Sequence, residues 1–204
     1  TGLSYSLGQW QVALSDRHIT APIIVNAAGA WADEVAALAS LKPLGLMPKR
    51  RTAILLNAPA LADIKDWPMV IDVDEQFYFK PDAGQILLSP ADETPSLPCD
   101  AQPEELDIAI AMDRFLAVVD LDIKSINHSW AGLRTFAPDK TFVVGFDPIA
   151  KGFFWLAGQG GYGVQSSPGM SQLARHLILQ SALPTGYERI KASVEAVSPT
   201  RFSS

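Results

Sequence analysis

The sequence predicts an α+β fold, in which an antiparallel or mixed sheet backed by helices is inserted between two pieces of an α/β layer. Two observations lead there. Ile23 to Ala39 and Phe153 to Leu179 each run from an apolar strand through a glycine turn into a helical pattern, the grammar of a nucleotide-binding α/β layer. Between them, from about Pro43 to Ile126, strands are separated by tight turns with few helical stretches, which argues for an antiparallel sheet. The expected division is 1–42, 43–126 and 127–204, with the first and last parts belonging together.

Taken in order, Leu3 to Leu7 and Gln9 to Leu14 read as paired strands around Gly8. Ile23 to Asn26 is a short apolar run of the kind that forms a fully buried strand. A helix follows from Trp31 to about Ala39, with Val35, Leu38 and Ala39 on one face, and Pro43, Gly45 and Pro48 end that pattern. Arg51 to Leu56 is the next strand, and proline and alanine between Asn57 and Ala62 suggest a surface connection. Met69 to Val73, Gln76 to Lys80 and Gln85 to Ser89 read as strands, with Pro81-Asp82-Ala83-Gly84 as a turn. Thr94 to Pro103 is a loop, and Pro103-Glu104-Glu105 opens a helix running to about Val118. Ile123 to Leu133, Phe142 to Phe146 and Phe153 to Ala157 are strands, and Ser167 to about Leu179 is the last helix.

Composition narrows the function. The 204 residues are 48% hydrophobic and 19% charged, as in an ordinary globular protein. Sixteen basic against 22 acidic residues give a net charge of -6, which argues against a dedicated nucleic-acid or anionic-membrane binder. Cys99 is the only cysteine, so an intrachain disulfide and a cysteine-based zinc site are both excluded, and a cytoplasmic setting fits. No apolar run reaches the roughly 18 residues of a membrane span, and no basic leader is read before Thr1. The start reads as a cut through a longer protein. His18, His128 and His176 lack metal-ligand spacing, and neither a serine or cysteine triad nor a phosphoryl-transfer motif is seen.

Two motifs carry chemistry. Trp130-Ala131-Gly132-Leu133-Arg134 puts an arginine among apolar residues, with Phe136 close behind. A generic arginine is a solvated surface residue, whereas a guanidinium in such surroundings favours a bidentate anion such as a carboxylate. Gly158-Gln159-Gly160-Gly161-Tyr162-Gly163 places four glycines between an apolar strand and a helix, where backbone amides can approach a ligand or where helix and sheet simply pack closely. Strand alternation turns Arg50 and Arg51 to opposite faces, and Tyr78 away from Phe77 and Phe79. No Gly-x-Gly-x-x-Gly turn opens a βαβ unit near residue 1.

Val25 to Trp31 (VNAAGAW), Pro43 to Arg51 (PLGLMPKRR), Asp66 to Met69 (DWPM), Phe77 to Gly84 (FYFKPDAG), Gln102 to Ala109, Trp130 to Arg134 and Gly152 to Gln165 together resemble the carboxyl-terminal part of the D-amino-acid oxidase and dehydrogenase (DAO-type) flavoprotein family. That family includes glycine and sarcosine oxidases, and the nearest likeness is to bacterial D-arginine dehydrogenases. The resemblance implies a substrate-binding sheet joined to pieces of a split FAD-binding domain, with the dinucleotide-gripping half absent. It implies oxidative deamination of a D-amino acid, with Arg134 binding the α-carboxylate, Arg51 and Tyr78 as further contacts to it, and Met69 and Ile71 as an apolar wall for the substrate side chain. Plain core packing is the alternative for Met69 and Ile71. Gly161 would offer its carbonyl to the substrate amine, and Gln165 would touch substrate or flavin. Gly29, Gly132, Gly160, Tyr162, Gly163 and Val164 would face the cofactor. No side chain here need act as a strong catalytic base if the amine enters neutral.

The sarcosine-oxidase branch attaches flavin through a cysteine in the stretch that here reads Trp130 to Asp139, which holds none; the resemblance therefore implies non-covalent FAD. The chain alone is expected to bind FAD poorly. Three other readings stay open. The parent could oxidise glycine, sarcosine or a hydroxy acid, the chain could be a non-catalytic domain, or it could be a subunit docking with a partner that carries the missing half.

Overall fold

The computed structural model describes residues 2–59, 63–182 and 191–202, the first three of the last segment by backbone alone. Its strands are β1 (Gly2–Ser6), β2 (Gln9–Ala13), β3 (His18–Ala21), β4 (Ile24–Asn26), β5 (Met47–Leu56), β6 (Val70–Ile71), β7 (Tyr78–Asp82), β8 (Gln85–Ser89), β9 (Thr94–Pro95), β10 (Ile126–Phe136), β11 (Val143–Phe146) and β12 (Phe153–Ala157). The helices are α1 (Ala32–Leu38), α2 (Glu105–Leu116), α3 (Gly163–Leu179) and α4 (Lys191–Val197). The chain forms two compact units, Thr1–Pro48 with Arg134–Ser204, and Lys49–Leu133. It passes from one to the other inside the long strands β5 and β10. Residues 60–62 of the expected surface connection lie outside the described residues.

In the first unit, β1, β2 and β3 form an antiparallel meander. Leu7 and Gly8 make its first turn with φ of 51° and 81°, the left-handed pair that a two-residue hairpin requires. A second sheet has the order β11-β12-β4, with β12 antiparallel to β11 and parallel to β4. Trp10, Ala32, Ala36, Phe153 and Trp155 share the core on one side of this sheet; Val144, Phe154, Leu173 and Ala174 share that on the other.

Two expectations fail here for a geometric reason. β4 is an edge strand, and Val25 is 42% exposed, so this strand is not fully buried. After a 3-10 turn at Gly29–Trp31, α1 buries Ala32 and Ala36 while Leu38 is 45% exposed. Leu38 lies about 200° around the helix from Ala36, and the small alanines allow close approach to the core.

Buried Asn26 closes the turn after β4, donating from Nδ2 to the Ala32 carbonyl at 2.8 Å. Asp33 then accepts the backbone N–H groups of Leu44, Gly45 and Leu46 at 2.8–2.9 Å, which holds the loop leading into β5.

α3 begins four residues before the expected Ser167 and contains Pro168. Proline lacks the N–H that would meet the Val164 carbonyl. The Ser167 hydroxyl donates to that carbonyl instead, at 2.8 Å, so the helix runs through.

The end of the chain is tied by Arg201, whose Nε and Nη2 donate to the two Asp139 oxygens at 2.7 and 3.1 Å. The Arg201 hydrogen bonds hold the Asp139 carboxyl below its ordinary pKa, against the opposing effect of burial. A lowered folded-state pKa contributes stability that is present above about pH 4 and is lost as pH falls through the folded value. Asp139→Asn should therefore lower unfolding free energy by about 0.5–1 kcal/mol at neutral pH, the scale of a partly exposed pair. Urea titrations should show the deficit shrinking as the pH is lowered below about 4; a deficit that does not change with pH would mean that the ion pair contributes nothing.

The second unit is built on the sheet order β10-β5-β8-β7-β6, with β9 also pairing with β5. β7 and β8 pair up to Asp82 and Gln85, so the turn is only Ala83-Gly84, with φ of 49° and 83°. Pro81 and Asp82, read as turn residues, lie within the strand. Alternation buries Phe79, Ile86 and Leu88 with Ile54 and Leu56 against Ala111 and Phe115 of α2. Phe79 and Phe115 meet edge to face, with ring centroids 5.1 Å apart. The expected strand from Met69 to Val73 is only Val70–Ile71, and α2 stops at Leu116.

Candidate functional site

The end of β10 and the turn after β12 bring Arg134 and Gly161 together in the first unit. Gly158 and Gly160 have φ of 72° and 52°, values that L side chains rarely adopt. The Gly160 N–H donates to the Thr135 carbonyl at 2.9 Å, fixing the turn against β10. A Cβ built on Gly160 would lie 2.5 Å from Phe136 Cε1, so this glycine is demanded by packing. A Cβ built on Gly161 would lie 1.4 Å from Arg134 Nη2. The guanidinium therefore lies directly against the Gly161 backbone.

The surroundings of Arg134 differ from those expected. Its aromatic contact is Phe136, with Cζ 5.9 Å from the ring centroid, and Thr135, Phe136 and Ala137 are buried. Trp130 is 38% exposed and stacks on His128 at 5.7 Å. Arg134 itself is half-buried, where a guanidinium keeps more of its electrostatic reach than in open water.

α3 starts beside this turn. Its N-cap residue, Tyr162, makes no side-chain capping bond, so the first amides of the helix remain available to an acceptor. Tyr162 and Val164 are 56% and 93% exposed, and Gln165 is exposed as well. Gly29 opens the 3-10 turn after β4 with φ of 57°. At Gly132, in the second unit, a Cβ would meet nothing within 4 Å, so the described packing does not demand glycine there.

The second unit brings Arg51, Tyr78 and Ile71 onto one sheet face. Tyr78 pairs with Ile71 on one side and Ser89 on the other, and Arg51 Cζ lies 5.9 Å over the Tyr78 ring. Met69 and Ile71 are 52% and 57% exposed, so neither is a core residue of this chain. Met69 precedes β6 and lies outside its ladder.

Arg50 turns the other way, donating to Glu104 and to Asp107. Burial alone would lower the Arg50 pKa, but the hydrogen bonds to both carboxylates and their charges outweigh it and raise the value. Alternation along β5 thus separates the two arginines as expected, one into an ion cluster and one over a tyrosine.

Asp92 and Glu93 escape sequence reasoning. The Asp92 carbonyl accepts Arg51 Nε–H at 2.8 Å, and Glu93 lies 3.6 Å from Arg51 Nη2. Both acids stand in a short connection after β8, where there is no alternation to read, and they reach Arg51 across some 40 positions of sequence.

A parallel strand pair leads into a glycine turn and an uncapped helix, with an arginine laid on that turn, an arrangement that offers backbone amides and a guanidinium to an anionic ligand. The profile of the FAD-dependent oxidoreductase (DAO) family matches residues 1–177, and the chain belongs to that family. It is 26% identical over 196 residues to FAD-dependent oxidoreductase domain-containing protein 1 of Xenopus laevis, covering 85% of this chain and 38% of that protein.

L-proline dehydrogenase from P. horikoshii superposes with a TM-score of 0.79 at 23% identity, over all of this chain and 53% of the other. Glycine oxidase from Geobacillus kaustophilus gives 0.75 at 22% identity, over 91% and 49%. These structures share the fold, and the chain spans about half their length. FAD is the cofactor of the family, and the Gly158–Gly163 turn with the uncapped start of α3 has the donor chemistry to meet it. Among the described residues, no helix is long and apolar enough to cross a membrane.

Proposed function

We propose that this chain serves the FAD-dependent oxidation of a D-amino acid to an imino acid, which water hydrolyses to a 2-oxo acid and ammonia. The observation that carries the proposal is the Arg134 guanidinium resting on the Gly161 backbone. A carboxylate received by that fork would lie beside Gly161, to whose carbonyl the family resemblance assigns the substrate amine. Arg51 and Tyr78 supply further polar contacts to the substrate, and the exposed side chains of Met69 and Ile71 receive its side chain. Gln165 contacts substrate or cofactor.

Bound FAD supplies the hydride acceptor for the Cα hydrogen. In this reading Gly29, Gly160, Tyr162, Gly163 and Val164 contact the cofactor, and Gly132 is a further cofactor contact. The amides that start α3 favour negative charge at their end, and the absence of cysteine between Trp130 and Asp139 supports non-covalent attachment.

A second reading has specific support, since the solved structures named above act on L-proline and on glycine, which also carry a carboxylate beside an amine. The full-length flavin-loaded protein, mixed anaerobically with single substrates, tests both. Bleaching of the flavin absorbance by D-amino acids, and much more slowly by L-amino acids, glycine, sarcosine and hydroxy acids, is the expected result. Bleaching by glycine, sarcosine, L-proline or a hydroxy acid alone would transfer the assignment to that substrate. No bleaching by any of them would favour a non-catalytic domain.

A further inference from the structure

Three neighbouring residues of β5 are held by one acid. β5 pairs with β8 through Ile54, Leu55 and Leu56, and with β9 through Lys49 and Arg50. Asp92 sits in the gap between those two stretches. Its Oδ1 accepts the Thr52 backbone N–H at 2.7 Å and its Oδ2 accepts the Thr52 hydroxyl at 3.1 Å. Its own carbonyl accepts Arg51 Nε–H at 2.8 Å. The same carboxylate lies 3.7 Å from Arg50 Nε and 4.0 Å from Arg51 Nε. The Asp92 side chain is only 6% exposed, and Thr52 is fully buried.

A carboxylate so far from water is retained only where donors and opposite charges compensate it, and here they come from successive β5 residues. The consequence falls on Arg51. With Nε held by a backbone carbonyl and Nη2 3.6 Å from Glu93, the guanidinium is kept over the Tyr78 ring.

We propose that Asp92 is a positioning residue for substrate binding, which anchors its own loop on Thr52 so that its carbonyl aims Arg51. This rests on the reading of Arg51 as a substrate contact. An arginine aimed in advance loses less freedom when it meets an anion than one that must be ordered by it. The acid therefore affects substrate affinity without touching the substrate.

The test is a double-mutant cycle in the full-length flavin-loaded protein, using D-amino acids and reading KM and kcat separately. Asp92→Ala removes the acceptor for Thr52; Asp92→Asn keeps the shape and one acceptor oxygen but removes the charge. If Asp92 acts through Arg51, Asp92→Ala raises KM about tenfold with kcat within about twofold, and Asp92→Asn gives a smaller rise. Placed on an Arg51→Met background, either change should then add less than about twofold, because the residue it acts through is gone.

A purely structural acid predicts effects that multiply on that background, or a fall in kcat and thermal stability with KM unchanged; either overturns the proposal. Should Asp92→Ala fail to fold, the cycle with Asp92→Asn decides in the same way. If Arg51→Met alone leaves KM unchanged, the reading of Arg51 as a substrate contact is overturned and this proposal falls with it, an outcome distinct from failed coupling.

Discussion

Arg134→Ala in the full-length flavoprotein should reduce kcat/KM for a D-amino acid by about 30-fold to a few thousand-fold, the equivalent of roughly 2–5 kcal/mol for a charge pair broken from one side. The half-buried position against Gly161 and Phe136 argues for a loss at this scale, since removing the fork leaves the substrate carboxylate in a site partly shielded from water. Arg134→Lys should recover only part of it, because an ammonium cannot reproduce two parallel N–H bonds. A solvated arginine would give near-neutral results for both changes. Substrate amides add a second arm. Wild type should reject an amide far more strongly than Arg134→Ala does, and equal discrimination by both would remove Arg134 from carboxylate recognition.

What could be read without coordinates was whatever depends on neighbours in sequence. The β7–β8 hairpin was legible because Ala83-Gly84 sits between two alternating apolar stretches. The glycine turn after β12 was legible because it follows Phe153–Ala157, all but one of whose residues are buried. The opposite facing of Arg50 and Arg51 follows from the strand period alone.

Errors arose where a local pattern competed with a contact made elsewhere. Leu38 looked like core because leucine usually is, yet α1 packs through alanines. The helix expected from Ser167 misses the first turn of α3, which runs through Pro168 with the Ser167 hydroxyl on the Val164 carbonyl. β3 and β9 are too short to carry a period. Asp92 lay beyond sequence reasoning altogether, because its importance is a side-chain-to-backbone contact 40 positions away.

Gly161→Ala offers a test of geometry rather than of charge. Gly161 is not among the glycines with positive φ, so alanine fits its backbone. The methyl would nevertheless occupy a point 1.4 Å from Arg134 Nη2, and the flexible guanidinium must swing away. Because the colliding atom is the end of a long side chain, thermal stability should change little. The fork should be lost as a carboxylate receptor even though its charge remains nearby.

The expected result is a fall in kcat/KM of at least about tenfold and no larger than that of Arg134→Ala, with part of the discrimination against amides lost. The double variant Arg134→Ala with Gly161→Ala should be nearly as active as Arg134→Ala alone, since nothing remains for the methyl to displace. If the two effects multiply instead, Gly161 acts on the substrate independently of Arg134, through its own carbonyl or the turn that holds it. A Gly161→Ala enzyme with unaltered kcat/KM would mean that the guanidinium does not receive the carboxylate where it rests against this glycine.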